Sequence, residues 1–510
     1  MPILQRLRFP RTPGELPLYA VPGHGAVVSD QGCTFQRGAE LSLDSFFNAC
    51  FIGGNGWPSY LASNIFCNLF LEGDFRVLLC VRESHGNERT ILETVACGCI
   101  PEKPLSFPLD QTCSHLEPYR VFPRLTALSD TAAIHGGDYG CSRVGQPVTL
   151  GIVICTYRRE REAIQNARLL AMEKDLISAQ VQVVVVDNAR TIDPASLPEH
   201  VILVQNHNLG GAGGFSRGLM ALLERRGCSH VVLMDDDVNL DTECIFRCVN
   251  HFRHRPEGPA IAGVLFDVDS PSMVHEAGAW MEKTGSPLVV RPGFIGVDLT
   301  DPSILDALSL APRPDYGGFW IFAFPLSLVR RHLLMPFFIK GDDVEFGLRL
   351  QKQGVGCTLL PGVGVRHPGF LGSFDVVKRF YWVRNMLIVE MLHGQRSILS
   401  MVLPLLSEAW IERHRGRYAY LTALVRGMED FLEGPERLEH ADNDLLMSSL
   451  KREQNHLLRP SGERMSLLLF LRAIVCFLKM TVTMKTLRAT WRRTAWDLAS
   501  TKRWKERFSI

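Results

Sequence analysis

Four short apolar runs, each ending in polar or acidic residues, constrain this chain more than any other feature. They are VTLGIVICTY (Val148–Tyr157), VQVVVVDNA (Val181–Ala189), VILVQNHN (Val201–Asn208) and HVVLMDDD (His230–Asp237). Runs of this length, rich in Val and Ile, read as strands buried on both faces. Arg158–Lys174, between the first and second, has helical spacing and strong helix formers. A Gly-rich turn and a helix over about 215–226 separate the third and fourth. Strand, helix, strand, strand, helix, strand is the pattern of an open α/β sheet with covered faces. Ligands of such sheets sit beyond the carboxyl ends of the strands, where Asp187 and Asp235–Asp237 fall.

The 510 residues exceed what one hydrophobic core needs, so several domains are expected. Residues 1–145 read as a β-sandwich or jelly-roll-like domain, with short Val- and Ile-containing stretches such as Phe75–Ser84 and Arg89–Cys97 between turns. Trp57, within WPSYL, reads as a core or turn residue. Residues 146–380 hold the α/β pattern, and residues 381–510 read as a helical C-terminal region. A net charge of +1 argues against a nucleic-acid binder. The 14 cysteines show no CxxC pair and read as buried thiols of a reducing compartment. No secretory leader is read at the N-terminus, which gives a cytoplasmic expectation.

Three motifs carry chemistry. Carboxylates crowded at a strand end repel unless a cation compensates them, so Asp235 or Asp237 is a candidate ligand for Mg²⁺ or Mn²⁺ bridging to a diphosphate. A solvated acidic turn is the competing reading. HNLGGAGGFSRG (His207–Gly218) has four glycines in five positions, which lets backbone approach a ligand closely, and a helix N-terminus after it favours phosphate. A flexible turn is its rival. In IKGDDVEFGLRLQKQG, Asp342 and Asp343 precede a short helix with Glu345 in its first turn. These acids are either helix caps or the carboxylate base that an incoming hydroxyl needs. His367, in GVGVRHPG after a short strand, would complete an oxygen-rich metal site as a neutral imidazole.

Taken together, CTYRR, VVVVDN, NLGGAGGFSRG, MDDDV, GGFWIFAFP, GDDVEFGLRL and VRHPG resemble the bacterial galactofuranosyltransferases of the inverting GT-A family 2. The resemblance covers roughly residues 20 to 400, including LSLDSFFNAC (Leu41–Cys50) in the β-rich part. It implies a GT-A domain moving galactofuranose from UDP-galactofuranose to a hydroxyl of a lipid-linked glycan. It places Thr156 and Arg158 near the uridine and diphosphate and Asp187 at the base or ribose. Asn208, Gly210, Gly211, Arg217 and Asp236 would join the donor site, and Trp320 the acceptor site. Asp235, Asp237 and His367 would hold Mn²⁺ or Mg²⁺, and Asp343 would be the general base, with Asp342 and Glu345 as alternatives. The same residues would serve another nucleotide sugar, such as dTDP-rhamnose or UDP-galactopyranose. A catalytically inactive scaffold and a nucleotidyltransferase are the other rivals.

The C-terminal region adds a location. Met465–Met480 is strongly apolar, with Arg472 and Lys479 seven apart on one helical face, and no run of 18 uncharged apolar residues occurs. Basic residues interleaved with Trp491, Trp496 and Trp504 follow. This pattern predicts a helix lying on the cytoplasmic face of the inner membrane without spanning it. A buried bundle helix with a solvated basic tail, or packing between copies in a homo-oligomer, would use the same residues.

Overall fold

The computed structural model describes the chain except residues 110–117, 226, 285, 369–374, 458–461 and 510; the side chains of 454–465 are also left undescribed. Gly369, the last residue of GVGVRHPG, therefore lies outside the described residues. An N-terminal β-module, a mixed α/β sheet and a helical C-terminal region follow one another along the chain.

The N-terminal module is an 11-stranded sheet organised by one 19-residue strand, Ile65–Glu83. The first half of that strand pairs with Ala132–Cys141 and Leu105–Pro108, the second with Tyr119–Ala127 and Glu88–Cys99. Its alternation of buried and half-buried residues encloses an apolar core. Trp57 belongs to that core, its indole N–H donating to Gln5 Oε1 at 2.8 Å. The module is locked to the sheet domain by buried polar contacts. Arg6 pairs with Glu243 at 2.7 Å, Arg247 donates to the Phe47 carbonyl at 2.5 Å, and Thr358 donates to Asn55 at 2.8 Å.

The second sheet begins as the apolar runs require. β1 (Leu150–Thr156), β2 (Gln182–Asp187), β3 (Ile202–Gln205) and β4 (His230–Asp235) are parallel in the order β3–β2–β1–β4. β5 (Asn239–Leu240), β6 (Ala260–Asp267), β7 (Val274–Glu276), β8 (Ile321–Pro325) and β9 (Cys357–His367) complete it. β8 runs antiparallel to both β4 and β6, while β9 lies parallel to β6 with Asp267 opposite His367. The helices used below are α1 (Glu160–Met172), α2 (Gly210–Arg225), α3 (Glu243–His254) and α4 (Asp342–Lys352).

The glycine-rich stretch differs from its sequence reading. It is the first turns of α2, which begins at Gly210 and not near residue 215. Gly214 and Gly218 face β1: a Cβ at either would collide with Cys155 Sγ or Val153 Cγ1. Their lack of a side chain lets the helix sit close on the sheet. Gly210 alone among the glycines of this turn uses left-handed backbone, at φ 69°.

The C-terminal region comprises α5 (Val376–His393), α6 (Ile398–His414), α7 (Tyr418–Leu432), α8 (Gly462–Leu498) and α9 (Thr501–Phe508), with two further helices at Pro435–His440 and Asn443–Leu457. α5 starts before residue 380, capped by Asp375, whose carboxylate accepts from the Val377 N–H at 2.8 Å. α8 is 37 residues long, and its part from Ser466 to Leu498 is long and apolar enough to cross a membrane by length and composition. The expectation that no run of 18 uncharged apolar residues occurs still holds, because Arg472 and Lys479 interrupt the segment; Arg472 is paired with Glu429 on α7, so its charge is compensated. The basic tail is not a free arm either. Trp491 and Trp504 are buried, and α9 packs on α2, with Arg217 over the Phe508 ring at 5.5 Å.

Candidate functional site

Parallel pairing sets the site at the strand ends. Thr156 lies opposite Asp187, and Cys155 opposite Asp235, so the chain leaves β1, β2 and β4 on one edge of the sheet. Beyond β4, Asp236 and Asp237 turn into the cleft beside β9. His367 Nε2 lies 3.1 Å from Asp237 Oδ1. Arg159 bridges Asp236, at 3.3 Å, and the other oxygen of Asp237. Asn166 on α1 fixes this turn by donating to the Asp236 and Val238 carbonyls, both at 2.9 Å.

Electrostatics identify the site as an acidic cluster short of cations. Burial, with Asp237 and Asp236 nearby, pushes the Asp235 carboxyl up to about 7. Burial likewise raises Asp236, against the pull of Thr156 and Arg159. Asp237 is only half-buried; partial burial would raise it, but its hydrogen bond with His367 and the charges of His367 and Arg159 bring it below the ordinary carboxylate range. The same contact lifts the His367 imidazole, overcoming the effect of its burial.

The second acidic pair joins this cluster from the start of α4. Asp342 lies against the N-terminus of α2, its Oδ2 3.9 Å from where a Gly211 Cβ would stand. Burial and Asp343 push it up to about 7, with Asp235 contributing from across the cleft. Burial also raises Asp343, whose Oδ1 accepts from the Val344 N–H at 2.8 Å. Glu276, at the end of β7, completes the ring: burial and the charge of Asp343 raise it to about 8, and Lys340 opposes.

Not every expected residue faces this cleft. Glu345 is fully buried on the other side of α4, bonded to Arg349 at 2.9 Å and His393 at 3.0 Å. The α-helical turn carries it away from Asp343, so it is not placed to act as a base. Asp187 is fully buried and its carboxylate is saturated by the N–H groups of Ala189, Arg190, Thr191 and Ile192, at 2.6–3.0 Å. It shapes the loop after β2 and has no oxygen turned to a ligand. Arg158 adopts left-handed backbone (φ 58°) and lies over Tyr157; Arg159 stands at the acids in its place. Arg217 is two turns into α2 and points to α9. Asn208 caps the glycine turn, its Oδ1 accepting from the Gly210 N–H at 3.3 Å. Trp320 is nearly buried, with its indole N–H donating to the Gly263 carbonyl at 2.9 Å, and Phe319 packs among Phe215, Phe322 and Phe346. Arg159, Lys340 and Glu276 were missed: one adjoins the selected arginine, one precedes the Asp pair, and Glu276 lies in a short strand without a recognisable motif.

Among the described residues, no group of three or more His, Cys, Asp and Glu forms a ready-made metal cage. The chemistry of the residues nevertheless suits a hard divalent cation: one oxygen of Asp237 lies 3.1 Å from His367 Nε2, the other meets Arg159, and Asp235 and Asp236 adjoin it in sequence.

Residues 147–379 match the family described as "Glycosyltransferase like family 2", and over this segment the chain is a glycosyltransferase. The chain is distantly similar to galactofuranosyltransferase GlfT2 of Mycolicibacterium smegmatis, at 25% identity over 310 residues, covering 57% of this chain and 48% of that protein. It is also 25% identical over 337 residues to GlfT2 of Mycobacterium tuberculosis, covering 61% and 52%. The chain thus spans about half the length of the curated relatives it matches. A mannosyltransferase from Pyrobaculum calidifontis, solved with GDP-Man and Mn²⁺, aligns at 14% identity and a TM-score of 0.34, covering 66% of this chain and 90% of that one; a likeness at that level assigns no function.

Proposed function

We propose that this chain transfers galactofuranose from UDP-galactofuranose to a hydroxyl of a glycan acceptor, inverting the anomeric carbon in one displacement. The observation that carries the reading is the convergence of Asp235–Asp237 and His367 with Asp342–Asp343 in one cleft beyond the strand ends. Asp343 takes the proton of the acceptor hydroxyl as that oxygen bonds to the anomeric carbon. The bond from this carbon to the diphosphate breaks, and UDP leaves with its electron pair. A carboxyl raised by burial is suited to accept that proton. The N-terminus of α2, where Gly211 adjoins Asp342, favours phosphate. Thr156 and Arg159 supply a hydroxyl and a positive charge on the opposite side. Asp235, Asp237 and His367 would hold Mn²⁺ or Mg²⁺, which neutralises developing charge on the departing diphosphate when bound.

The choice of sugar is supported by the relatedness to the two GlfT2 proteins. Purified chain is incubated with UDP-galactofuranose, UDP-galactopyranose and dTDP-rhamnose and a galactofuranoside acceptor, and nucleotide release is followed. Consumption of UDP-galactofuranose with an inverted product is expected. Consumption of another donor alone would replace the sugar assignment; no transfer from any of them would return the scaffold reading.

The outer face of α8 supports attachment to a membrane surface. Leu467, Leu468, Leu471, Val475, Leu478 and Val482 are 47–83% exposed on one face of the helix. α6 extends this face with Leu399, Leu403 and Trp410, the last 5.5 Å from Phe470. No Asp or Glu occurs between residues 464 and 496, and exposed Lys479, Lys485 and Arg493 share the solvent side. Anionic lipid attracts such a surface at about 1 kcal/mol per basic residue. Flotation with phosphatidylglycerol vesicles is expected for the whole chain and is lost in a Leu471→Asp/Leu478→Asp variant; equal flotation of both would refute this face.

A further inference from the structure

The segment that delivers the Asp342–Asp343 pair is held in a conformation its own sequence does not favour. Phe338 and Lys340 have φ of 71° and 65°, in the left-handed region that non-glycine residues avoid, and Gly341 follows at 82°. The Ile339 N–H bonds to the Phe337 carbonyl two residues back, at 3.1 Å, closing a three-residue turn over Phe338. A turn of this size with positive φ at its centre is the rarer, strained hand. Such backbone persists only where its surroundings over-determine it.

The restraint comes from the part of α5 beyond residue 379, where the match to the family ends. Asn385 is fully buried. Its side-chain amide donates to the carbonyls of Phe337 (3.3 Å), Ile339 (2.9 Å) and Lys340 (2.7 Å). Its Oδ1 accepts from Arg384 Nε at 2.9 Å, and Arg384 Nη2 donates to Phe337 O at 2.9 Å. Arg384 is in turn bonded to Asp430 on α7, at 3.3 Å. On the opposite side, the Ala212 N–H of α2 donates to Phe338 O at 3.2 Å. One amide therefore gathers three carbonyls of a strained turn whose other side touches the first turn of the glycine-rich helix.

We infer that Asn385 is a positioning residue for transfer: by tying down residues 337–341 it sets where Asp343 stands relative to the N-terminus of α2. Arg384 fixes the orientation of that amide, because its Nε requires an oxygen and so leaves the NH₂ group for the turn. The inference rests on the reading of Asp343 as the base. It adds that the base is placed by the C-terminal helices, so their packing bears on turnover.

The test uses the full chain carrying Asn385→Asp, which keeps the shape and the Arg384 contact but removes the donors, and Asn385→Ser, which removes the reach. Turnover and KM are measured with the donor selected by the screen above, and UDP affinity is measured in Mn²⁺. A misplaced base is expected to lower kcat by about tenfold to a hundredfold. Donor KM and UDP affinity should stay within about twofold, with thermal melting showing folded protein. In an Asp343→Asn background, the Asn385 substitutions should cause no further loss. Wild-type kcat in both folded Asn385 variants, with Asp343→Asn inactive, would overturn the positioning role and leave the functional reading intact. A loss wholly in KM or UDP affinity would also overturn it. An Asp343→Asn chain with normal turnover would instead overturn the functional reading. Should either Asn385 variant fail to fold, Arg384→Lys, which cannot span Asn385, Phe337 and Asp430 at once, gives the same kcat readout.

Discussion

His367 Nε2 lies 3.1 Å from Asp237 Oδ1, and Arg159 holds the other oxygen of the same carboxylate. An imidazole and a guanidinium thus both compete for the carboxylate that a divalent ion would use. Asp235 shows the deficit that remains, since burial and its acidic neighbours raise it to about 7. Mn²⁺ should displace the Asp237–His367 contact and stabilise the fold by about 2.7 kcal/mol at a hundredfold excess over Kd. Asp237→Ala should abolish that thermal shift and weaken UDP binding in Mn²⁺. Differential scanning fluorimetry and calorimetric UDP titration read both; an undiminished Mn²⁺ shift in the variant would exclude Asp237 as a ligand.

Asp343 and Glu345 lie two residues apart and differ in environment. Asp343 is raised by burial in the cleft, whereas Glu345 is enclosed by Arg349 and His393. Asp343→Asn should lower kcat by about 10²–10⁴ while leaving melting nearly unchanged. Glu345→Gln should do the reverse. Removing one member of a buried ion pair costs about 3–5 kcal/mol, because the other charge is left buried. Melting curves set beside kcat for the two variants separate the roles, and an inactive but fully stable Glu345→Gln chain would put Glu345 back in the chemistry.

The parallel strands were legible because Val and Ile runs without alternation have few other ways to fold, and the acids at their ends marked the cleft. Trp57 was also legible as a core residue. What escaped depended on long-range placement. Of Arg158 and Arg159, only a left-handed backbone at the first decides which reaches the acids. Asp187 looked like a ligand because it ends a strand, but its oxygens are consumed by the four N–H groups of its own loop. Trp491 and Trp504 looked interfacial because they alternate with basic residues. Helical spacing instead puts Trp491, Ala495 and Leu498 on one buried face and the charges on the other.

The glycines of α2 divide between packing and approach. A Cβ at Gly214 would meet Cys155 Sγ on β1, while one at Gly211 would meet nothing closer than Asp342 Oδ2 at 3.9 Å. Gly214→Ala should therefore destabilise the fold by about 1–3 kcal/mol through overpacking. Gly211→Ala should be tolerated or slightly stabilising, since Ala is favoured over Gly in a helix by up to about 1 kcal/mol. If Gly211 faces the diphosphate, UDP affinity should fall in Gly211→Ala without loss of melting temperature. Melting temperatures and UDP titrations on the two variants decide, and unchanged UDP affinity in a folded Gly211→Ala chain would remove that glycine from the donor site.

Glu276 gives the fold a pH dependence whose sign follows from its surroundings. Burial and the charge of Asp343 raise its carboxyl from 4.5 to about 8, with Lys340 only partly offsetting them. The folded chain therefore holds a proton that the unfolded chain releases near 4.5. The stability this contributes is fully present below about pH 4.5 and is lost progressively as pH rises through about 8. Glu276→Gln keeps the shape of the protonated side chain and cannot ionise. Relative to wild type, the variant should gain stability between pH 5.5 and pH 9, with the difference levelling off above about 8. Asp235 and Asp342 contribute to the slope in both chains and largely cancel in the comparison. Thermal midpoints of the metal-free proteins at pH 5.5, 7 and 9 provide the measurement. A wild-type-minus-variant difference that stays constant across that range would mean that Glu276 is ionised in the folded chain at neutral pH and is not forced to share the cleft with Asp343 as a neutral acid.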